Sequence, residues 1–289
     1  MLHLLAVLAA ALLFGTTGTA NALGPDDAST LSVGVARMVV GGIGLAALAF
    51  LLAARFRRRT PDRPRPALTW RPLALMAATG VAISLYQPLF FLGTETNGVA
   101  VSTVIALGSA PVLAGILEWA ISRRVPSGLW MAATALAAVG VVLLGIGGGS
   151  GTGGVDAAGL AAAVAAGACF AVIANAQRRL LDAGWDAFTV VGSMGVGSAV
   201  LCAAAIPFVD LSWAATPSGL AMALWLGLAT ISLAYVLFTW GLQGLTAATA
   251  ATLTLGEPLT ATVLGVTVLG EGLSPLAVTG LVVLAAGLV

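Results

Sequence analysis

LTAATAATLTLGEPLTATVLGVTVL, residues 245–269, is the stretch on which the fold turns. It is long enough to cross a ~30 Å hydrocarbon core as a helix, which takes about 20 apolar residues. Inside it, Leu255-Gly256-Glu257-Pro258 sets an acid directly before a helix breaker. A charge at the centre of a membrane helix costs at least ~2.5 kcal/mol, so an acid kept there is a candidate functional group. The competing reading is a structural break, with the carboxyl protonated or hydrogen-bonded near an interface.

Outward from this run the chain keeps the same character. Of its 289 residues 60% are hydrophobic and 8% charged, and the mean hydropathy is +1.07, whereas a soluble domain has about a quarter of its residues charged. The composition predicts an all-α, multi-pass protein whose first partner is the lipid bilayer. A net charge of +1 gives no reason to expect a nucleic-acid partner. Cys169 and Cys202 lie in apolar stretches without metal-ligand spacing and read as packing residues. His3 is the only histidine, and no span carries an Asp pair, so neither a catalytic constellation nor a metal or cofactor is expected.

Ten apolar segments follow in order: 2–22, 31–53, 72–93, 98–121, 127–146, 156–177, 187–208, 218–241, 245–269 and 275–289. Ala20-Asn21-Ala22 resembles a signal cleavage site, but no Lys or Arg precedes the first segment, which is therefore read as a retained helix. The last, starting at Pro275, reaches only about 22 Å and is expected to be a short or curtailed span. The twelve basic residues are all arginine. Apart from Arg37 they lie after segments 2, 4 and 6: Arg55, Arg57, Arg58, Arg59, Arg63, Arg65 and Arg71, then Arg123 and Arg124, then Arg178 and Arg179. By the positive-inside rule those loops and both termini are cytoplasmic, in a bacterial inner membrane. Glycine-rich residues 147–155 divide the chain into units 1–146 and 156–289.

The two units echo each other. Ser84-Leu85, Leu89-Phe90 and Gly93 align with Ser232-Leu233, Leu237-Phe238 and Gly241. After a one-residue gap Ala100, Pro111 and Ala114 fall on Ala247, Pro258 and Ala261. Five spans repeated once must insert in opposite orientations, which predicts ten transmembrane helices as two inverted five-helix repeats, with a substrate site between them near the midplane.

Ala234-Tyr235, Trp240-Gly241-Leu242, Leu255-Gly256-Glu257-Pro258 and Leu269-Gly270-Glu271, then Ser274-Pro275 and a last helix rich in small residues, resemble the EamA family of the drug/metabolite transporter superfamily. Arg37 looks like that family's helix-2 arginine. The first unit departs from the pattern, with Ala110 opposite Glu257 and Ser122-Arg123-Arg124 opposite Leu269-Gly270-Glu271. The resemblance implies a ten-helix secondary carrier of small polar or amphipathic metabolites, often an exporter. The rival class is a multi-pass scaffold or receptor that transports nothing, which would not explain the repeat.

Polar residues on apolar segments are the candidate substrate contacts: Tyr86, Gln87, Asn175, Gln177, Tyr235, Trp240 and Thr254. Tyr86 and Tyr235, the two tyrosines, stand at nearly matching places in the units and could hydrogen-bond or stack on a small-molecule substrate. The alternative for the aromatics is an interfacial belt. Glu257 is the candidate proton-coupling or structural acid. Arg37 is expected to pair with Glu95, placed in the turn between segments 3 and 4, or with a substrate carboxylate, the structural ion pair being favoured. Glu118 and Glu271 read as solvated interface residues.

Overall fold

The computed structural model describes residues 1–61, 66–123, 127–147 and 156–288, without the side chains of 99 and 100. Arg63, Arg65, Arg124, most of the glycine-rich linker and the Ala100 match lie outside the described residues. Every regular element among those described is helical: α1 (Leu2–Ala22), α2 (Thr30–Arg59), α3 (Trp70–Asn97), α4 (Val99–Ser122), α5 (Gly128–Gly147), α6 (Ala157–Asp182), α7 (Ala187–Ala203), α8 (Pro217–Gly241), α9 (Ala247–Val268) and α10 (Pro275–Leu288). Nine of these runs are long and apolar enough to cross a membrane, α7 being counted with its continuation to Phe208; α10 is a shorter apolar helix of 14 residues.

Local chemistry sets the helix starts. Ser29, Asp156, Asp186, Thr216 and Thr246 each cap the helix that follows, their side-chain oxygens accepting a backbone N–H of the first turn. Helix α2 runs on through Arg57, Arg58 and Arg59, so that at 30 residues it is about 45 Å long and lifts its arginines beyond the hydrocarbon. Arg71 begins α3, and Arg123 and Arg179 end α4 and α6, which gathers the described arginines other than Arg37 at one end of the bundle.

Two elements differ from the sequence expectation in their internal structure, and a third breaks at the helix breaker read from the sequence. The expected helix over 187–208 stops at Ala203 and gives way to short 3₁₀ turns at Ile206–Phe208 and Ser212–Ala215. Helix α8 is π-helical over Trp225–Leu233, where Ser232 Oγ donates to Gly41 O of α2 at 2.9 Å and to Gly227 O at 3.3 Å. Helix α9 is interrupted between Leu253 and Gly256. Pro258 has no N–H to give Thr254 O, and the Glu257 N–H takes that carbonyl instead at 2.9 Å. The break therefore falls before the proline, and Glu257 stands in the first turn of the half-helix Gly256–Val268.

Packing joins the two units throughout. Helix α5 lies along α10, α3 along α6 and α7, α4 along α6, α2 along α7 and α8, and α1 along α8 and α9. A polar knot ties α5 to α9: Trp130 Nε1 donates to Thr252 Oγ1 at 3.0 Å, and the Thr134 and Thr252 hydroxyls are 2.9 Å apart. Hydrogen bonds between membrane helices average ~0.6 kcal/mol each. Thr252→Val is therefore expected to lower stability by about 1–2 kcal/mol, read as a fall in Tm in detergent that Thr252→Ser restores.

Candidate functional site: a central cavity

A cavity of about 520 Å³ lies inside the bundle, within the ~300–1,000 Å³ range of small-molecule sites. Its walls come from the C-terminal halves of α1 and α3, the N-terminal halves of α2 and α4, and the middles of α6, α8 and α9. It thus lies toward the end of the bundle opposite the arginines. Most of the lining is apolar or aromatic. Phe14, Tyr86, Phe90, Phe91, Phe170 and Tyr235 supply the rings, with Tyr86 stacked parallel on Phe90 at 6.1 Å and Phe14 edge-on to Tyr235 at 5.2 Å.

Four of the seven candidate substrate contacts meet here: Tyr86, Gln87, Tyr235 and Thr254. Among the described residues neither tyrosine hydroxyl has a hydrogen-bond partner. Arg37 and Glu257 also line the cavity and are the only charged side chains on its wall among the described residues. They form no ion pair with each other, the sole ion pair among the described residues being Arg178–Asp182.

Asn175, Gln177 and Trp240 lie elsewhere, for reasons of helical geometry. Phe170 is the α6 residue on the wall, and Asn175, five residues on, is turned about 140° from it. Its Nδ2 donates to Ala114 O of α4 at 3.1 Å and to Ala171 O at 3.0 Å. Gln177 shares the face of Phe170 but sits about two turns deeper. It accepts from Thr239 Oγ1 at 2.9 Å, and its Nε2 contacts Met194 Sδ at 3.4 Å, binding α6 to α8 and α7. Trp240 is likewise five residues beyond Tyr235, and its ring lies against that of His3 at 4.6 Å, tilted by 37°, near the arginine end.

The Arg37–Glu95 pair does not form. Glu95 belongs to the last turn of α3 and is exposed. Arg37 instead reaches Gln87 Oε1 at 3.5 Å and Thr17 Oγ1 at 3.4 Å, and its Nε is buried without a partner among the described residues. Glu118 is likewise more than a solvated residue: its Oε2 accepts the Ala248 N–H at 2.8 Å, at the start of α9. From α6, Arg178 donates to Leu242 O and Leu245 O at 2.7 and 2.8 Å. A cation on the Leu242 carbonyl that ends α8 and an anion on the Ala248 N–H that opens α9 both complement the helix dipoles, and with the bond to Leu245 O they tie down the α8–α9 turn at the arginine end.

The sequence reading passed over the aromatic wall and the polar face of α1. Thr17 and Asn21 line the cavity, and their signal was present in Thr16-Thr17-Gly18-Thr19, a polar run within an apolar segment.

An all-helical bundle of apolar spans around a chamber with aromatic, hydroxyl and charged walls is the architecture of a membrane transporter. The chain belongs to the EamA-like transporter family, whose sequence model matches residues 1–146 and 157–289. It is 40% identical over 288 residues to the uncharacterized transporter YwfM of Bacillus subtilis (strain 168), a match covering 99% of this chain and 92% of that protein. A solved crystal structure shares the fold with a TM-score of 0.78, over 99% of this chain and 96% of the other, at 19% identity.

Proposed function

We propose that the protein is a secondary transporter that exports small polar or amphipathic metabolites across the cytoplasmic membrane by alternating access. The observation that carries this reading is the cavity, walled by helices of both units and holding Arg37, Glu257 and two tyrosine hydroxyls without a partner among the described residues, inside a bundle of apolar spans.

The helix pairing supports ten spans arranged as two inverted repeats. Exchanging α1–α5 with α6–α10 turns the contact α3·α6 into α8·α1, α4·α6 into α9·α1, and α3·α7 into α8·α2, while α2·α7 and α5·α10 map onto themselves. Both members of every pair are present. If the arginine end is cytoplasmic, the chamber faces outward, and the α8–α9 turn held by Arg178 and Glu118 is the closed inner side.

Two measurements test the reading. Single cysteines placed in a chain lacking Cys169 and Cys202 are expected to be labelled from inside near Arg58 and from outside at Asn21 and Gly98; external labelling near Arg58 in intact cells overturns the topology. Proteoliposomes loaded with a metabolite panel are expected to show counterflow of at least one solute. Absence of flux for every member would favour a structural role.

A further inference from the structure

We propose that Arg37, with Thr17 and Gln87, forms the carboxylate subsite of the cavity, and that the substrate is a monocarboxylate with an aromatic body. The inference rests on the transporter reading and names the chemical class that the chamber takes.

It starts from an arginine that lacks an anion. A guanidinium carries five N–H donors in a rigid fork suited to a carboxylate. Arg37 uses its fork poorly: its bonds to Gln87 and Thr17 are 3.5 and 3.4 Å, at the edge of what counts as a hydrogen bond, and Nε has none. Among the described residues no carboxylate lies within ion-pair distance of it. Intramembrane arginines are normally paired or matched to backbone carbonyls, because an unpaired one is expensive. The missing partner of Arg37 is therefore an acceptor that arrives in the cavity. A planar carboxylate satisfies the fork best, taking two parallel N–H bonds.

The charge count sets the valence. Among the described residues Arg37 is the single cation on the wall, and Glu257 shares the chamber. A dianion such as a phosphate monoester would meet one positive charge and an acid, whereas a monocarboxylate balances Arg37 alone. The rings set the body. Tyr86 stacked on Phe90 and Phe14 edge-on to Tyr235, with Phe91 and Phe170 beside them on the wall, offer ring faces and edges to a planar group, and aromatic pairs add ~0.5–1.5 kcal/mol beyond their buried area.

The test is equilibrium binding to the purified full-length protein in detergent, with two acid and amide pairs: 3-(4-hydroxyphenyl)propionate against its primary amide, and tyrosine against tyrosinamide. At least one acid is expected to bind tenfold or more tightly than its amide, and the pair showing the gap tells whether an α-ammonium is also wanted. Arg37→Gln is expected to erase the gap by weakening the acid only. Arg37→Lys, which keeps the charge but not the fork, is expected to recover part of it. The acid-to-amide ratio of the unaltered protein decides the matter even if the Arg37 variants fold poorly. Equal affinities within both pairs, or no binding of either acid while another solute still shows counterflow, overturns the carboxylate subsite and leaves the transporter reading standing. Loss of all counterflow strikes the transporter reading itself.

Discussion

Glu257→Gln is expected to abolish transport driven by a pH gradient while leaving substrate exchange near that of the unaltered protein. The acid lines the cavity, in the first turn of the half-helix Gly256–Val268, without an ion-pair partner among the described residues. A negative group at that place also meets the positive end of the half-helix dipole. If the chamber alternates between the two faces of the membrane, a carboxyl on its wall trades a proton with whichever side it meets. Gln keeps the size and hydrogen-bonding reach of Glu but carries no exchangeable acid, so binding and exchange survive and coupling does not. The first unit has Ala110, also on the cavity wall, at the matching position, so the chamber carries one such acid. The competing role is structural, with the carboxyl bracing the break that Pro258 makes in α9. In that case Glu257→Gln transports normally under both regimes and Glu257→Ala lowers folded yield. Gradient-driven flux measured beside exchange flux in the same proteoliposomes separates the two, and equal retention of both removes Glu257 from coupling.

What could be read from the chain alone divides along physical lines. Apolar run length and arginine placement are one-dimensional signals. They located the helical segments to within a few residues at most ends, apart from the second and sixth, which run on to Arg59 and Asp182, and the seventh, which ends early at Ala203. The break in α9 was legible for the same reason, because Glu257-Pro258 is local covalent chemistry. Which way a polar side chain faces was not legible: Tyr86 and Gln87 both border the cavity although they stand about 100° apart on α3. Asn175 and Trp240 sit at plausible depths but about 140° round their helices from the wall, a rotation that shows only once Phe170 and Tyr235 are known to face inward. Arg37 illustrates the limit most sharply. Sequence spacing made Glu95 a reasonable partner, yet the outcome depended on where α3 carries Glu95, which is set by packing and not by local pattern. The caps supplied by Glu118 and Arg178 were hidden likewise, since each reaches a helix end remote in sequence.

Gly42→Val is expected to remove most of the monodisperse protein recovered in detergent, whereas Gly108→Ala leaves the yield unchanged or slightly raised. Membrane helices pack through van der Waals contact and small residues, without the hydrophobic drive available in water. At the crossing of α2 and α7 a side chain at Gly42 would place its Cβ 2.7 Å from Ala199 N and 2.8 Å from Gly195 O. A Cβ at Gly195 would in turn meet Ala46 N and Gly42 O, both at 2.8 Å. All four obstacles are backbone atoms, which cannot rotate aside, so the helices must separate. Overpacking of this kind costs ~1–3 kcal/mol, and valine's branched side chain adds to the crowding. Replacing glycine within a helix returns at most ~1 kcal/mol of propensity, which is smaller than the upper range of the steric term. Gly108 on α4 is the control, because a Cβ there meets nothing within 4 Å and only the propensity gain remains. The consequence reaches the cavity, since α2 carries Arg37 little more than one turn before Gly42, and a displaced α2 moves the guanidinium away from Gln87 and Thr17. Size-exclusion profiles of the two variants, read beside their counterflow rates, test both parts, and a Gly42→Val protein as well behaved as Gly108→Ala would mean that the α2–α7 contact tolerates separation.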